Sequence, residues 1–349
     1  MLKNIFGSLS KDIGIDLGTS NSIFYVKDKG IVINEPSIVA INTRSDQLVA
    51  VGVDAKKMMG KTPPHISVVG PIVNGVISDF EVSEKLIKHC IEKIHRGSFT
   101  IAPRPRTIVS IPLDITEVER KAVQDAITNA GAREVHLIDE PVATAIGARL
   151  NLQDSYGRMV VEIGGGNTSI AVISLSGIVS YNSLKTAGHE FDSAIQDYIR
   201  ENFNITIGSK SAEEIKIKIG SVVASDEAHE MKVKGRNMLT GLPKEFEITD
   251  EQIREAIKRP VGVIVDAVRT TVENAPAELI GDLYESGILL SGGGALLKGF
   301  DSLISKELQM PVHVVDDPLT TVVRGTGILL DDSNLLREVE SIGSMVLSS

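Results

Sequence analysis

The segment "VVEIGGGNTSI", residues 160–170, places an acidic residue inside an apolar run and follows it with three glycines. The segment "GIDLGTSNSI", residues 14–23, also places an acidic residue inside an apolar run and follows it with a glycine. An apolar run of this length is typical of a buried strand, where an unpaired acidic side chain is costly. The chain therefore carries one acid-led glycine turn twice. Asp16 corresponds to Glu162, Gly18 to Gly164 and Asn21 to Asn167, and the spacing within the two motifs is the same.

Length and composition limit the class of protein. With 349 residues the chain exceeds what one hydrophobic core usually supports, which predicts two domains. The 36 basic and 46 acidic residues give a net charge of −10, which argues against a nucleic-acid partner. Cys90 is the only cysteine, so a disulfide framework is excluded and a reducing compartment fits best.

The first ten residues, "MLKNIFGSLS", have an apolar face at helical spacing, formed by Leu2, Ile5, Phe6 and Leu9. A secretory signal peptide needs a longer apolar stretch and a cleavage site, and no run approaches the ~18 apolar residues of a membrane span. Three alternatives stay open for this segment: an amphipathic helix on a membrane surface, a helix packed on the body, or a frayed terminus.

The remaining pattern alternates strands and helices, which predicts an α/β fold. "DIGIDLG" and "SIFYV" predict a hairpin, and Thr116 with Glu119 predicts a capping box before "EVERKAVQDAITNA". The polar stretch "NLQDSYGR" marks the best domain boundary, at about residues 151–158. "GILLSGGGALLKGFDSLISKEL" predicts a buried strand, a third glycine turn that opens a helix, and an amphipathic helix.

The three glycine turns are candidate anion sites, because their backbone amides can approach phosphate oxygens closely. No GxxxxGK[ST] motif occurs, so none is a Walker A loop. Any one turn alone is a weak signal, but two acid-led turns at matched spacing predict a two-sided clamp on a polyphosphate. Asp16 and Glu162 would then hold a hydrated Mg²⁺ against the phosphates, unless each merely caps the following turn. Glu140, just before Pro141, is either a helix N-cap or the residue that orients an attacking water.

Several segments together resemble the MreB family of bacterial actin homologues: "IGIDLGTSN", "IVINEPSIVAI", "VGVDAKKMMGKTP", "GVISDF", "LIDEPVATAIGA", "MVVEIGGGNTSIAVIS", "AEEIK", "GILLSGGGALLKGFDSLI" and "DDPLTTVVRGTG". The resemblance covers about residues 11–331. It implies an α/β, actin-like (ribonuclease H-like) duplicated fold with two domains, each carrying a smaller inserted subdomain, and a nucleotide cleft between them. The expected ranges are a membrane-contacting helix at 1–10, domain I at 11–155 with an insertion at about 34–80, domain II at 156–331 with an insertion at about 190–255, and a C-terminal tail at 332–349.

The resemblance also implies a function. We expect an ATP- and Mg²⁺-dependent cytoskeletal protein that hydrolyses ATP slowly, forms paired filaments on the inner face of the cytoplasmic membrane and organises cell-wall synthesis. The implied partners are other copies of the chain, the membrane, and a cell-wall elongation complex that includes a RodZ-like adaptor. A small-molecule kinase and a chaperone-type ATPase of the same superfamily are the alternatives, although no acceptor-site motif is present and the chain is too short for a second substrate-binding domain.

Site residues follow from the matched motifs. The resemblance implies catalytic or metal-linked roles for Asp16, Glu140, Glu162 and Thr168. The implied nucleotide contacts are Thr19, Ser20, Asn21, Gly164, Gly165, Gly166, Asn167, Gly188, Glu213, Glu214, Lys216, Gly292, Gly293, Gly294 and Ala295. Beside Leu2, Ile5, Phe6 and Leu9, the implied membrane contacts are Phe99 and Ile101 in "GSFTIAP".

Three positions depart from the family pattern. The family usually has aspartate at position 162, threonine at 167 and aspartate at 189, whereas this chain has Glu162, Asn167 and His189. The extra methylene of Glu162 would either displace a metal-bound water or shift the metal itself, and small displacements have large effects on aligned chemistry. Nucleotide binding is therefore better supported than efficient hydrolysis.

Overall fold

The computed structural model describes residues 10–96, 104–224 and 228–346, with side chains up to residue 341. The described chain forms two compact units. The first contains the residues up to Ser155, Ile173–Ile178 and the residues from Leu319 onward, and the second contains Tyr156–Val172 and Val179–Pro318. The predicted boundary at about 151–158 falls where the first unit gives way to the second, whereas residues 319–331, expected in domain II, group with the first unit.

The first unit is built on a five-stranded sheet of order β10-β9-β1-β2-β3 and a small sheet of order β5-β4-β6. Strands β1, β9 and β10 are parallel, and β1 and β2 form the predicted antiparallel hairpin. Its elements are β1 (Ile13–Leu17), β2 (Asn21–Val26), β3 (Gly30–Pro36), β4 (Val39–Asn42), β5 (Gln47–Val51), α1 (Val53–Met58), β6 (Ile66–Val69), β7 (Ile72–Val73), β8 (Val76–Ile77), α2 (Phe80–His95), β9 (Arg106–Ile111), α3 (Glu117–Asn129), β10 (Glu134–Asp139) and α4 (Glu140–Gly147).

The second unit repeats this plan with a sheet of order β13-β12-β11-β17-β18 and a small sheet of order β14-β15-β16. Strands β11, β17 and β18 are parallel. Its elements are β11 (Arg158–Ile163), β12 (Thr168–Ser174), β13 (Gly177–Leu184), α5 (Gly188–Phe203), β14 (Ile205–Thr206), α6 (Ser209–Ile219), β15 (Glu230–Asn237), β16 (Pro243–Thr249), α7 (Asp250–Glu273), α8 (Ala277–Ser286), β17 (Ile288–Ser291), a 3₁₀ helix (Gly293–Leu296), α9 (Phe300–Leu308) and β18 (Val312–Val314). Two helices of the first unit complete the chain, α10 (Thr321–Asp331) and α11 (Ser333–Val346).

Local signals account for several element boundaries. The predicted capping box of α3 is confirmed, because Thr116 Oγ1 accepts from the Glu119 backbone N–H at 3.2 Å and Glu119 Oε2 accepts from the Thr116 N–H at 2.8 Å. The same motif, Thr249 with Gln252, starts α7. Each unit has its own buried core, formed by the faces of its large sheet and the helices packed on them.

Most of the segment expected to be a C-terminal tail forms a helix, Ser333–Val346. Residues 332–349 were expected to form a tail, but α11 packs against the first unit. Glu338 accepts from Gln153 Nε2 at 2.8 Å and from Ser176 Oγ at 2.7 Å, and Glu340 lies 2.7 Å from His136 Nδ1. These polar contacts join residues far apart in sequence, which is why periodicity alone did not indicate them.

Helix α10 packs against α4 at unusually short range. A Cβ added to Gly147 would lie 2.9 Å from the Gly325 nitrogen, and one added to Gly325 would lie 2.7 Å from the Ala143 carbonyl carbon. Only glycine permits this approach of two helix backbones. The contact fixes α4, and therefore the position of Glu140 at its first turn.

Candidate functional site

In the first unit, the two acidic candidates lie at the carboxyl ends of β1 and β10, two parallel strands on either side of β9. Asp16 is in register with Ser110 of β9, and Ser110 Oγ lies 3.4 Å from Asp16 Oδ1. Glu140 follows directly after β10, the next strand in the sheet. The carboxyl ends of adjacent parallel strands form one edge of a sheet, which is where ligands of open α/β sheets bind. The strand order therefore brings Asp16 and Glu140 to one edge.

The two carboxyl groups influence each other electrostatically. Burial and, to a smaller extent, the negative charge of Glu140 together raise the pKa of Asp16 to about 7, although the hydrogen bond from Ser110 opposes the rise. Burial also raises the pKa of Asp139, and the positive charge of Arg120 opposes that change. An acid in this environment is stabilised by a proton or by a nearby cation.

The alternative that Glu140 is a helix N-cap is not supported. Asp139 occupies the N-cap position of α4, and Glu140 lies in the first turn. Thr144 Oγ1 donates to the Glu140 backbone carbonyl at 2.9 Å, so the turn that carries Glu140 is held by its own helix. A role for the Glu140 side chain in capping is thus unnecessary to explain the start of α4.

The first glycine turn is held by contacts that the sequence did not indicate. Ser37 Oγ donates to the Gly18 carbonyl at 2.6 Å, and the Ser37 N–H donates to the Ser20 carbonyl at 2.9 Å. The Gly75 N–H donates to Thr19 Oγ1 at 2.8 Å. Ser37 lies in "IVINEPSIVAI" and Gly75 in "GVISDF", two segments that carry the family resemblance, but neither residue was among the expected site residues.

The second glycine turn, in the second unit, has the same backbone arrangement. The Gly164 N–H donates to the Asn167 carbonyl at 2.9 Å. A Cβ added at Gly164 would lie 3.0 Å from that oxygen, and a Cβ at Gly18 would lie 2.7 Å from the matching Asn21 oxygen. Both glycines are therefore required by the same close approach, and the sequence repeat corresponds to a structural repeat.

Glu162 lies between the second and third glycine turns. It is buried, with 5% of the residue exposed, and it is in register with Ser291 of β17. Gly292 has a φ of +82°, and a Cβ at that position would lie 2.5 Å from Glu162 Oε1. The third turn thus packs directly against the acid that leads the second.

The third turn differs from its prediction in one respect. Residues Gly293–Leu296 form a short 3₁₀ helix, and α9 begins only at Phe300. The close approach of Gly294 to Ile163 allows this tight turn, since a Cβ would lie 2.7 Å from the Ile163 Cβ. The prediction that this turn opens an α-helix is therefore wrong. The backbone amides available to a ligand here belong to a 3₁₀ turn.

The start of α5 braces the second turn. The Gly188 N–H donates to the Gly164 carbonyl at 3.1 Å, and the His189 N–H donates to the Gly165 carbonyl at 2.7 Å. Lys216 Nζ, from α6, donates to the Gly188 carbonyl at 2.8 Å and lies 2.8 Å from Asp192 Oδ1. Lys216 is therefore a structural link between α6, α5 and the glycine turn, and Asp192 is a contributor that the sequence did not indicate.

The remaining candidates of the second unit differ in position. Glu213 is three residues before Lys216 on α6, whereas Glu214 is exposed and forms an ion pair with Lys218 at 2.7 Å. Thr168 is fully buried, and its hydroxyl donates to the Thr186 carbonyl at 2.8 Å. The geometry favours a bracing role for Thr168 and a surface position for Glu214.

The six candidate membrane residues, Leu2, Ile5, Phe6, Leu9, Phe99 and Ile101, lie outside the described residues. Within the described ranges, no helix has both the length and the apolar character needed to span a bilayer. Within the same ranges, no three His, Cys, Asp or Glu side chains cluster as a direct metal site.

Comparisons with known proteins agree with one another. The family model "MreB/Mbl protein" matches residues 10–338. The cell shape-determining protein MreB of Escherichia coli (strain K12) is 47% identical over 337 residues, which cover 95% of this chain and 96% of that protein. The cell shape-determining protein Mbl of Bacillus subtilis (strain 168) is 43% identical over 328 residues, which cover 94% and 98%.

Solved structures match over the same extent. The crystal structure of MreB5 of Spiroplasma citri bound to ADP has a TM-score of 0.88 at 37% identity, covering 95% of this chain and 98% of that chain. The MamK double helical filament has a TM-score of 0.78 at 20% identity, covering 93% and 99%, and supports the fold alone. The predicted duplicated, actin-like α/β fold is confirmed, and the chain belongs to the MreB/Mbl family.

Proposed function

We propose that this chain binds ATP with Mg²⁺ and polymerises into membrane-associated filaments that organise cell-wall synthesis. The observation that carries the proposal is the pair of equivalent turns at Gly18 and Gly164, each preceded by an acid at a strand end. Backbone amides in such turns are preorganised donors to phosphate oxygens. MreB5 of Spiroplasma citri, which is similar over nearly the whole chain, has been solved bound to ADP.

The first turn, Thr19–Asn21, and the second, Gly164–Asn167, bind phosphate oxygens in this proposal. The third turn, Gly292–Ala295, binds the nucleoside, since its glycines leave no side chain to obstruct a flat group. Glu213 contributes to nucleoside binding from α6, and Gly188 and Lys216 act by holding the second turn in place.

The residues present are compatible with Mg²⁺. Asp16 and Glu140 repel each other at one sheet edge, and a cation relieves that repulsion. Magnesium usually keeps several waters and uses few protein carboxylates, so a dense ligand cluster is not required. Asp16 and Glu162 would hold the hydrated ion, which when bound neutralises phosphate charge.

Glu140 orients the attacking water in a slow hydrolysis step. Its side chain projects from the first turn of a helix that α10 holds by close backbone contact, which favours a fixed position. Orientation of water is a positioning task, and it depends on such rigidity. Glu162, Asn167 and His189 depart from the family pattern at the second turn, which is why we propose slow turnover.

Filament formation and attachment to the inner face of the cytoplasmic membrane complete the proposal. The proposed membrane contacts are Leu2, Ile5, Phe6, Leu9, Phe99 and Ile101. The proposed partner is a cell-wall elongation complex with a RodZ-like adaptor. The solved structure of the MamK double helical filament has the same fold, which is compatible with self-assembly of this chain.

Electron microscopy of the purified protein on lipid vesicles, with and without ATP, tests the proposal. We expect filaments on the vesicles only when ATP and Mg²⁺ are present. Absence of filaments, together with ATP consumption that depends on an added sugar or acid acceptor, would instead identify a small-molecule kinase.

A further inference from the structure

A histidine that lies between two acidic side chains holds helix α11 on the first unit. His136 of β10 has its Nδ1 atom 2.7 Å from Glu340 Oε1 of α11, and its Nε2 atom lies 3.1 Å from Glu134 Oε1 of the same strand. The His136 side chain is 17% exposed, so water and salt screen these charges only in part. We call His136, Glu134 and Glu340 the clasp.

The other described contacts of α11 involve different chemistry. Leu336 and Val339 are buried, with 3% and 7% of each residue exposed. Glu338 accepts from Ser176 Oγ and from Gln153 Nε2. Among these contacts, only the clasp contains a side chain whose charge ordinarily changes between about pH 5 and about pH 8.

The contacts of His136 show which proton matters. An ionised carboxylate can only accept, so Nδ1 carries a proton toward Glu340 in both charge states of the ring. Nε2 is buried and has no aligned hydrogen-bond partner among the described residues, so its interaction with Glu134 is electrostatic. In the neutral ring the Nε2 lone pair faces this anion. A proton on Nε2 replaces that repulsion with an attraction.

Protonation of the ring also strengthens its hold on α11. The positive charge adds a Coulombic attraction to the hydrogen bond between Nδ1 and Glu340. With a neutral ring, the carboxylates of Glu134 and Glu340 lie on two sides of His136 with no cation between them. Both effects favour a docked α11 when His136 is charged.

Other charged side chains on the elements around the clasp make contacts elsewhere. The elements packed on β10 are β9, α3, α4 and α11, and α10 packs on α11. The contacts of their remaining charged groups are Arg106 with Asp12, Arg120 with Glu117 and Asp139, Lys121 with Asp125, Glu119 with Thr116, Glu140 with Asp16, Arg324 with Thr321, Asp331 with Lys27, Arg337 with Ser333 and Asn334, and Glu338 with Ser176 and Gln153. Within the described residues, the charges at ion-pair distance from His136 are therefore those of Glu134 and Glu340.

We propose that α11 is a proton-controlled strap, which closes over β10 when His136 is protonated and loosens when the ring loses its second proton. The proton stabilises the closed form, so closure is favoured at low pH and is lost as pH rises. Loosening uncovers Leu336 and Val339 and the apolar surface that they cover. The inference concerns the first unit and goes beyond the proposed function, because it does not depend on nucleotide binding or filament formation.

Hydrogen–deuterium exchange of the nucleotide-free protein, followed by mass spectrometry from about pH 5 to about pH 8, tests this inference. Exchange of the α11 amides is corrected for the intrinsic effect of pH on exchange and is compared with exchange of α3. The comparison removes global unfolding, to which the raised pKa of Asp16 contributes. We expect the protection of α11 relative to α3 to fall about tenfold over this range.

Three variants assign the response to the clasp. His136→Gln has no ring to protonate, and Glu340→Gln removes the anion on α11, so we expect both to abolish the pH dependence. Glu338→Gln is the matched control, since Glu338 lies on the same helix and contacts Ser176 and Gln153 outside the clasp. We expect Glu338→Gln to lower the protection of α11 equally at each pH and to leave the pH dependence in place.

Each outcome bears on a separate part of the proposal. Protection of wild-type α11 that is independent of pH, or that rises with pH, overturns the strap without reference to any variant. Unchanged pH dependence in His136→Gln or Glu340→Gln overturns the assignment to the clasp. Loss of the pH dependence in Glu338→Gln has the same consequence, because it places the response outside the clasp. None of these measurements uses nucleotide, so they are separate from the test of the proposed function.

Discussion

Asp16 is the residue whose environment most directly reports a ligand site. Its pKa is raised to about 7, first by burial and then by the charge of Glu140. A raised folded-state pKa means that the stabilising effect of the proton is complete below the unfolded pKa and is lost as pH rises through about 7. The ionised carboxylate is therefore a destabilising group near neutral pH when no cation is bound.

We predict that Asp16→Asn stabilises the nucleotide-free protein increasingly between about pH 4 and about pH 8, by up to about 4 kcal/mol. Urea unfolding of both proteins across this range measures the difference, in which other titrating groups cancel. A difference independent of pH, or one that falls as pH rises, would contradict the assigned environment. Addition of nucleotide and Mg²⁺ is expected to reduce the advantage of the variant.

Glu140 is predicted to orient water and not to hold nucleotide. We expect Glu140→Ala to slow phosphate release by about 100-fold or more, while the affinity for a non-hydrolysable ATP analogue changes little. Phosphate release and analogue binding are measured on the same preparation. A release rate equal to that of wild type would remove Glu140 from the hydrolytic step.

Spacing in the sequence was sufficient for the residues that recur in the two repeats and insufficient for those that support them. Gly18 and Gly164 were predicted from their matched positions, and their similar contacts explain the match. Ser37, Gly75 and Asp192 act through hydrogen bonds to residues distant in the chain. A single sequence carries no periodic signal for such contacts.

At the scale of elements, α5, α6 and the second glycine turn are joined by Lys216. Its partner Asp192 is buried, and the Lys216 side chain is 16% exposed. We predict that Lys216→Ala lowers the free energy of unfolding by about 3 kcal/mol, because it leaves the Asp192 charge without this cation. The exposed pair of Lys218 with Glu214 provides the control, and Lys218→Ala should cost less than about 1 kcal/mol.

Thermal or urea unfolding measures both variants. Nucleotide affinity should also fall for Lys216→Ala, since the Gly188 carbonyl loses its donor. Equal, small effects of the two substitutions would show that Lys216 is an ordinary surface lysine.

Elements formed by local patterns were predicted well, and their grouping was not. The capping box of α3 and the β1 and β2 hairpin depend on neighbouring residues, and both were found. The helix α10 was expected with domain II, but Gly147 and Gly325 allow it to pack on α4 of the first unit. A close contact between glycines of two helices is a tertiary feature that hydrophobic periodicity does not encode.

At the scale of the whole molecule, the duplicated plan is the feature that sequence predicted best. The family resemblance implied this plan, and the structure has two five-stranded sheets, each with a small three-stranded sheet in the same unit. In the proposed function, both motifs bind one nucleotide. This requires that damage to either turn weakens binding, whichever unit carries the damaged turn.

Isothermal titration calorimetry with AMPPNP and Mg²⁺ on wild type, Gly18→Ala and Gly164→Ala tests that requirement most directly. Each added Cβ would crowd a backbone oxygen within its own turn, at 2.7 Å and 3.0 Å. We predict that each variant folds and loses about tenfold or more in affinity. Wild-type affinity in either variant would contradict the claim that the two turns act on the same ligand.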